Sequence, residues 1–253
     1  MLKTVVATAF KAAVFTEQPA WQTVAVDPSC CITHQYCNDR ALGILQEQGF
    51  IKETLLLGIY YKQLQDGVIW ADLNWKNIHH FLHPKTRRGF WRFSNAASDY
   101  LQFFSLAVKC MEEWRIEDAI FYLGAAAHLV QDMCVPHHAR CQLFDGHKKY
   151  EMWVEQNLQF FLPPKMGEVV IVNPAGLLID NAAIAWEFYN EVNGEAGVEQ
   201  YQKATEILLP LAQKSTVNLF CYFFNVVKKL GGGSPLDLIT KDFLAAYCGS
   251  TNL

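Results

Sequence analysis

The sequence predicts an all-α protein built as a single multi-helix domain, and three observations predict it. Apolar residues recur at helical spacing along most of the chain. Strand signals are confined to two short runs, and no repeat, low-complexity tract or Gly/Ser linker marks a domain boundary. With 253 residues, 51% hydrophobic and 18% charged, the chain can bury a substantial core, which excludes intrinsic disorder. Lys and Arg total 21 against 25 Asp and Glu, a net charge of −4. That balance argues against a protein that holds nucleic acid mainly by backbone electrostatics.

In chain order, Thr33 to Gln48 places Cys37, Ala41, Ile44 and Leu45 on one face, with Gly49 as a stop. Ser94 to Trp114 is amphipathic through Tyr100, Phe103, Phe104, Ala107, Val108 and Met111. Glu117 to Met133 is apolar almost all round, which marks a central buried helix. His147 to Asn157, Leu177 to Val192 and Val198 to Leu230 follow, the last long enough to leave open a split at Pro210. The two strand signals are Val68-Ile69-Trp70 and Val169 to Val172. The longest apolar run, Val217 to Val227, is shorter than the roughly 18 residues a spanning helix needs and carries Asn218 and Asn225, so it reads as buried.

Residues 1–20 have a loose signal- or pro-segment character. Lys11 interrupts the apolar run and Gln18-Pro19-Ala20 is a poor cleavage site, which favours an ordinary N-terminal segment. Location follows from that choice: secreted or cell-surface if residues 1–20 are removed, cytoplasmic otherwise. The helical domain is expected over 21–230, with a tail over 231–253 set off by Gly231-Gly232-Gly233-Ser234-Pro235. The eight cysteines contain no C-x-x-C pair, which argues against a thiolate zinc module, and buried free thiols are expected.

The chemistry concentrates elsewhere. Four of the eight histidines fall between His128 and Glu151. His128 and Asp132 share one helix face at i,i+4 spacing, and a carboxylate inside an apolar helix is costly unless a cation compensates it. The chain turns through Pro136-His137-His138, and His147 with Glu151 repeats the i,i+4 pair. Imidazole and carboxylate are what zinc takes from a protein when thiolate is not used. One such pair usually means a surface hydrogen bond. Two pairs joined by a His-His turn favour a metal site.

The same residues carry a resemblance. Phe121-Tyr122-Leu123-Gly124, His128-x-x-x-Asp132-x-x-x-Pro136-x-His138-Ala139 and Gly146-His147-x-x-x-Glu151 closely resemble the bacterial zinc-dependent phospholipase C family. Upstream, His80-Phe81-Leu82-His83-Pro84 is similar to its H-F-x-D-P stretch, with His83 replacing the acidic residue. Asp72 sits where the family has an active-site aspartate, and Thr33-His34 resembles its first histidine ligand. The likeness spans about residues 21–157.

Position by position, the resemblance implies two to three zinc ions. His80, His128 and Asp132 would hold one, with Asp72 either as a fourth ligand or as the residue that orients the attacking water. His138, His147 and Glu151 would hold a second. His34 and Asp132 would hold the third, completed in the family by an N-terminal tryptophan, here Trp21 if cleavage follows Ala20. The implied reaction is metal-assisted phosphodiester hydrolysis of a phospholipid at a membrane surface, giving diacylglycerol and a phosphorylated head group. A monomer is expected. His80 and His138 are chosen over His79 and His137 on motif register, which leaves the neighbours in supporting or surface positions.

Departures bear on the substrate. Choline-preferring members carry aromatic residues where this chain has Leu73 and Asn77, which weakens the expectation of cation–π recognition of a quaternary ammonium. The C-terminal β-sandwich that toxin members use to dock on membranes is not expected here. Lys85-Thr86-Arg87-Arg88 could meet anionic head groups or form a solvated loop. Two alternatives stand beside the phospholipase: a zinc-dependent single-strand nuclease of the fungal and plant type, and a metal-binding helical protein without turnover. Glu151, where the nucleases usually have Asp, and the short interval from His138 to His147 favour the phospholipase.

Overall fold

In the computed structural model, the described residues are 27, 30–91, 94–161, 164, 165, 167 and 169–229. Residues 1–20, Trp21, the Gly231 to Pro235 break, the tail over 231–253 and Cys248 lie outside them. Among the described residues there is no strand. The helices are α1 (Ile32–Glu47), α2 (Ile51–Ile59), α3 (Tyr61–Asp72), α4 (Ala96–Glu112), α5 (Ile116–Asp132), α6 (Pro136–Arg140), α7 (His147–Asn157), α8 (Pro174–Glu187) and α9 (Val198–Lys229). Short 3-10 turns occupy Asn74–His79, Leu158–Phe160 and Tyr189–Glu191. Among the described residues no helix is long and apolar enough to cross a membrane.

α5 is the axis of the fold. Its residues from Ala119 to Asp132 are buried apart from Tyr122, as a helix apolar on every face must be. α3 crosses it at the closest range the backbone allows. A Cβ on Gly67 would lie 1.9 Å from the Phe121 carbonyl oxygen, and one on Gly124 would lie 2.0 Å from that of Leu64. Any side chain at this crossing would push the helices apart. The crossing positions two carboxylates, because Asp72 ends α3 and Asp132 ends α5.

Two strand signals resolve differently. Val68-Ile69-Trp70 lies inside α3, where Val68 and Ile69 are buried, so tertiary burial overrides the β-branched preference. Val169 to Val172 forms no regular element. Its backbone pairs instead with a side chain: Val172 N donates to Asn218 Oδ1 and Asn218 Nδ2 donates to Val172 O, both at 2.9 Å. A carboxamide thus substitutes for a neighbouring strand. The split left open at Pro210 does not occur, and α9 runs through it. The buried faces of Leu208, Leu209, Ala212 and the Phe220 to Phe224 segment hold the helix together despite the missing donor. α2 and α3 carry no signal strong enough to be found in sequence.

Candidate metal centre

Six segments deliver the polar groups to one place. His34 stands in the first turn of α1, Asp72 ends α3, and His80 follows the Asn74–His79 turn. α5 supplies His128 and Asp132, α6 supplies His138, and α7 supplies His147 and Glu151. These eight side chains form three groups whose ligand atoms lie within 4.8 Å of one another: His34, His128 and Asp132; Asp72, His80 and His128; and His138, His147 and Glu151.

Asp132 is the hub. Its Oδ2 lies 2.9 Å from His80 Nδ1 and 3.3 Å from His128 Nε2, and its Oδ1 lies 3.5 Å from His34 Nε2 and 3.8 Å from His138 Nε2. In the third group, Glu151 Oε1 is 2.9 Å from His147 Nε2 and 3.6 Å from His138 Nε2, and the two ring nitrogens are 3.1 Å apart. A tetrahedral zinc with nitrogen and oxygen ligands at about 2.0–2.1 Å sets those ligands roughly 3.3 Å from each other. The measured separations straddle that value.

Satisfaction of the outward-facing nitrogens supports the same fit. His80 Nε2 donates to the Ala71 carbonyl (3.1 Å), and His138 Nδ1 donates to the His80 carbonyl (2.8 Å). His34 Nδ1 pairs with Gln131 Oε1 at 2.9 Å. Each bond fixes the tautomer that turns the other nitrogen inward, the arrangement a metal-ligating histidine requires. Meanwhile His80 Nδ1, His128 Nδ1 and Asp132 Oδ2 are buried and make no well-formed hydrogen bond. His80 Nδ1 and Asp132 Oδ2 approach to 2.9 Å without hydrogen-bond geometry, as lone pairs aimed at a common centre do. The residues present fit zinc ligation.

The electrostatics of the metal-free site follow from burial and crowding. Burial opposes the charge on Asp132, yet His138, His128 and His80 outweigh it and hold the carboxyl well below the usual range. Burial, reinforced by His128, pushes His34 down to about 4. On His138, burial is overcome by the Asp132 and Glu151 carboxylates, which lift it to about 9. Burial penalises the Glu151 carboxylate too, but hydrogen bonds from His138 and His147 win and lower it.

The neighbouring histidines take supporting places. His79 Nδ1 bonds Asp99 Oδ2 at 3.0 Å, away from the centre. His83 Nδ1 accepts from the backbone of Lys85 and Thr86 (3.2 and 3.3 Å) and its ring lies 4.6 Å from Trp186. His137 is fully buried, donates through Nε2 to the Asp145 carbonyl (3.0 Å) and stacks on His147 at 4.8 Å. It is part of the scaffold behind the candidate ligand His147. Three partners escaped sequence reasoning. Cys31 donates through its thiol to Asp72 Oδ2 at 3.7 Å, beside the Thr33-His34 motif. Gln131 and Asn38 extend the His34 bond inward, Gln131 Nε2 donating to Asn38 Oδ1 (3.0 Å). Gln131 did leave a signal, a second polar residue beside Asp132 in an apolar helix.

A cavity of about 680 Å³ opens onto all three groups, walled on one side by Val154, Leu208, Leu209 and Ala212 and rimmed by Leu143 and Phe144. Asp72, with its side chain 46% exposed, faces this space. Among solved structures, the alpha toxin of Clostridium absonum is similar with a TM-score of 0.70 and 20% identity, over 78% of this chain and 64% of that one. The alpha-toxin of Clostridium perfringens from an avian strain gives a TM-score of 0.66 at 20% identity, over 77% and 63%. The chain therefore spans less than two thirds of either toxin, and the likeness is one of fold. No curated protein matches it. The family described as zinc dependent phospholipase C matches residues 33–204, about two thirds of the sequence. The chain belongs to the zinc dependent phospholipase C family.

Proposed function

We propose that this protein hydrolyses the phosphodiester bond of phospholipids by activated water, releasing diacylglycerol and a phosphorylated head group. The observation that carries the reading is the convergence of three imidazole and carboxylate groups on one cavity, with bare buried lone pairs at its floor. Membership of a zinc-dependent phospholipase C family supports the substrate class.

His80, His128 and Asp132, with Asp72, would hold one zinc; His138, His147 and Glu151 a second; His34 and Asp132 a third. Bound zinc supplies Lewis acidity towards the phosphate oxygens and acidifies water near neutral pH. Asp72 sits at the solvent side of the cavity, where its Oδ1 (3.9 Å from His80 Nδ1) is available to align water while Oδ2 accepts the Cys31 thiol. Water oxygen bonds to phosphorus as the bond from phosphorus to the glycerol oxygen breaks, and the departing alkoxide takes a proton. The Leu208, Leu209 and Ala212 wall offers the glyceride an apolar seat. Asn77 lines the cavity where an aromatic would favour choline, so the head group is recognised by other contacts. Removal of residues 1–20 would expose the Trp21 amine as a ligand of the third zinc and would make the enzyme an exported one.

The test is metal content per chain by plasma mass spectrometry with N-terminal sequencing, followed by turnover of phospholipid against single-stranded nucleic acid. Two or three zincs with phospholipid turnover support the proposal. Nucleic-acid turnover alone transfers the site to the nuclease reading, bound zinc without turnover leaves a metal-binding protein, and absence of metal refutes both enzymatic readings.

A further inference from the structure

Two loops that meet near the cavity, the second reaching it through Leu143 and Phe144, hold aromatic side chains and cations out in water. The first runs from His83 to Trp91, the second from Cys141 to Gly146, and they meet where the Cys141 thiol approaches the Arg88 carbonyl at 3.9 Å. In the first, His83 N donates to Arg88 O (2.8 Å) and Arg87 N to His83 O (2.9 Å). In the second, Gln142 N donates to His137 O (2.9 Å) and His147 N to Phe144 O (2.8 Å). The Asp145 carboxylate there takes Tyr189 OH and Gly194 N. These are braced loops, yet they leave Trp91 and Phe144 each 81% exposed. Arg87, Trp91 and Cys141 have φ of 60°, 56° and 53°, a left-handed backbone that bulky residues rarely adopt.

A rigid loop that exposes an aromatic ring gains nothing from water. It gains when the ring enters an apolar phase. Trp91 also lies within a run of ring contacts that ends at the candidate centre: Trp91 stacks on Phe90 (6.1 Å), Phe90 contacts Phe81 (5.4 Å), and Phe81 stacks on His138 (4.9 Å). Around them lie Lys85, Arg87 and Arg88, all exposed, with Lys148 on the cavity wall. Among the described residues none of the four has a carboxylate within 4.0 Å. A cluster of unneutralised cations on a chain of net charge −4 asks for an anionic counterpart.

We propose that these two loops are the face by which the protein sits on an anionic phospholipid bilayer. Phe144 and Trp91 enter the boundary between head groups and acyl chains, and Lys85, Arg87 and Arg88 meet lipid phosphates. The cavity mouth is then pressed against the layer from which substrate must rise. The inference rests on the phospholipid reading above and names the surface that would serve it.

The experiment is flotation of the zinc-loaded full chain with vesicles of equimolar phosphatidylcholine and phosphatidylglycerol, and with phosphatidylcholine alone, at low and high salt. Turnover of a short-chain phospholipid below its micellar concentration is measured in parallel. Binding to the mixed vesicles is expected, weakened by salt and about tenfold or more weaker for the Arg87→Gln, Arg88→Gln pair. Trp91→Ser and Phe144→Ser should each lower vesicle binding about tenfold. Turnover of the monomeric lipid should be unchanged in Trp91→Ser and in the arginine pair, with circular dichroism and zinc content reporting that each folds. Vesicle binding unaffected by these substitutions overturns the proposal, as does a wild-type protein that hydrolyses monomeric lipid but does not float. Equal, salt-insensitive binding to both vesicle types overturns the anionic assignment. Flotation that is lost with the substitutions, in a protein that hydrolyses no phosphodiester, upholds the surface and refutes the enzymatic reading.

Discussion

The Gln131 carboxamide oxygen lies 2.9 Å from Nδ1 of His34, and its nitrogen donates to both Asn38 Oδ1 and Thr216 Oγ1 at 3.0 Å. One buried side chain therefore fixes the tautomer of a candidate ligand and ties α1 and α9 to α5. Replacing it by leucine leaves three polar groups without that partner. Gln131→Leu is expected to lower stability by about 1–3 kcal/mol and zinc affinity by about 10–100-fold. Denaturant unfolding and competitive chelation measure the two effects, and intact affinity would remove Gln131 from the support of His34.

Asp132 lies within 4 Å of four histidines. Removing its charge while keeping its shape should cost metal and stability together, because ligation is coupled to folding. Asp132→Asn is expected to purify with substoichiometric zinc and a lowered Tm, and chelator treatment of the wild type should bring the two proteins closer. Full zinc and full activity in the variant would end the case for a shared carboxylate.

For His137 the expectation is the reverse. His137→Phe keeps a flat ring against His147 but abandons the Asp145 carbonyl, at about 1–2 kcal/mol. Zinc content should stay at the wild-type value by mass spectrometry. A severe loss of zinc would mean that the choice between His137 and His138 is wrong.

The helix crossing offers a paired test. Gly124→Ala would drive a methyl to 2.0 Å from the Leu64 carbonyl oxygen, which should destabilise by about 3 kcal/mol and displace Asp72 from the centre. Gly43→Ala on the exposed face of α1 meets nothing within 4 Å and should stabilise by about 0.5–1 kcal/mol. Thermal melts of both variants decide whether crossing distance or helix propensity governs.

Stability should respond to pH in opposite ways with and without metal. In the metal-free chain His138 titrates at about 9, above its ordinary 6.5. A raised folded value means the contribution is complete below 6.5 and is lost as pH rises towards 9. Zinc requires neutral imidazole, so its affinity rises over the same interval. The gap in Tm between zinc-loaded and stripped protein should widen from pH 6.5 to 9. A constant gap would contradict the charged His138 in the stripped form.

Periodicity was informative where a helix has one clear apolar face or none that is polar. α7 spans His147–Asn157 as its pattern predicts, and α5 differs from expectation by one residue at each end. α2 and α3 were not legible, since Val68-Ile69-Trp70 imitates a strand and its helix is favoured by burial of Val68 and Ile69 in the tertiary fold. The extended Val169 to Val172 run had the composition of a strand but found a carboxamide as its partner.

By itself the sequence determined the helical class, the histidine and carboxylate spacings within α5 and α7, and the motif likeness, because all three are local properties of the chain. Only tertiary structure decided that His34, Asp72 and His80 join them, that Gln131 and Cys31 support them, and that the loops carrying Trp91 and Phe144 meet where Cys141 approaches Arg88. Those relations join residues separated by tens to about a hundred positions, such as His34 and Gln131. Their distances are set by how helices pack, through contacts like Gly67 on Phe121, and no local pattern encodes them.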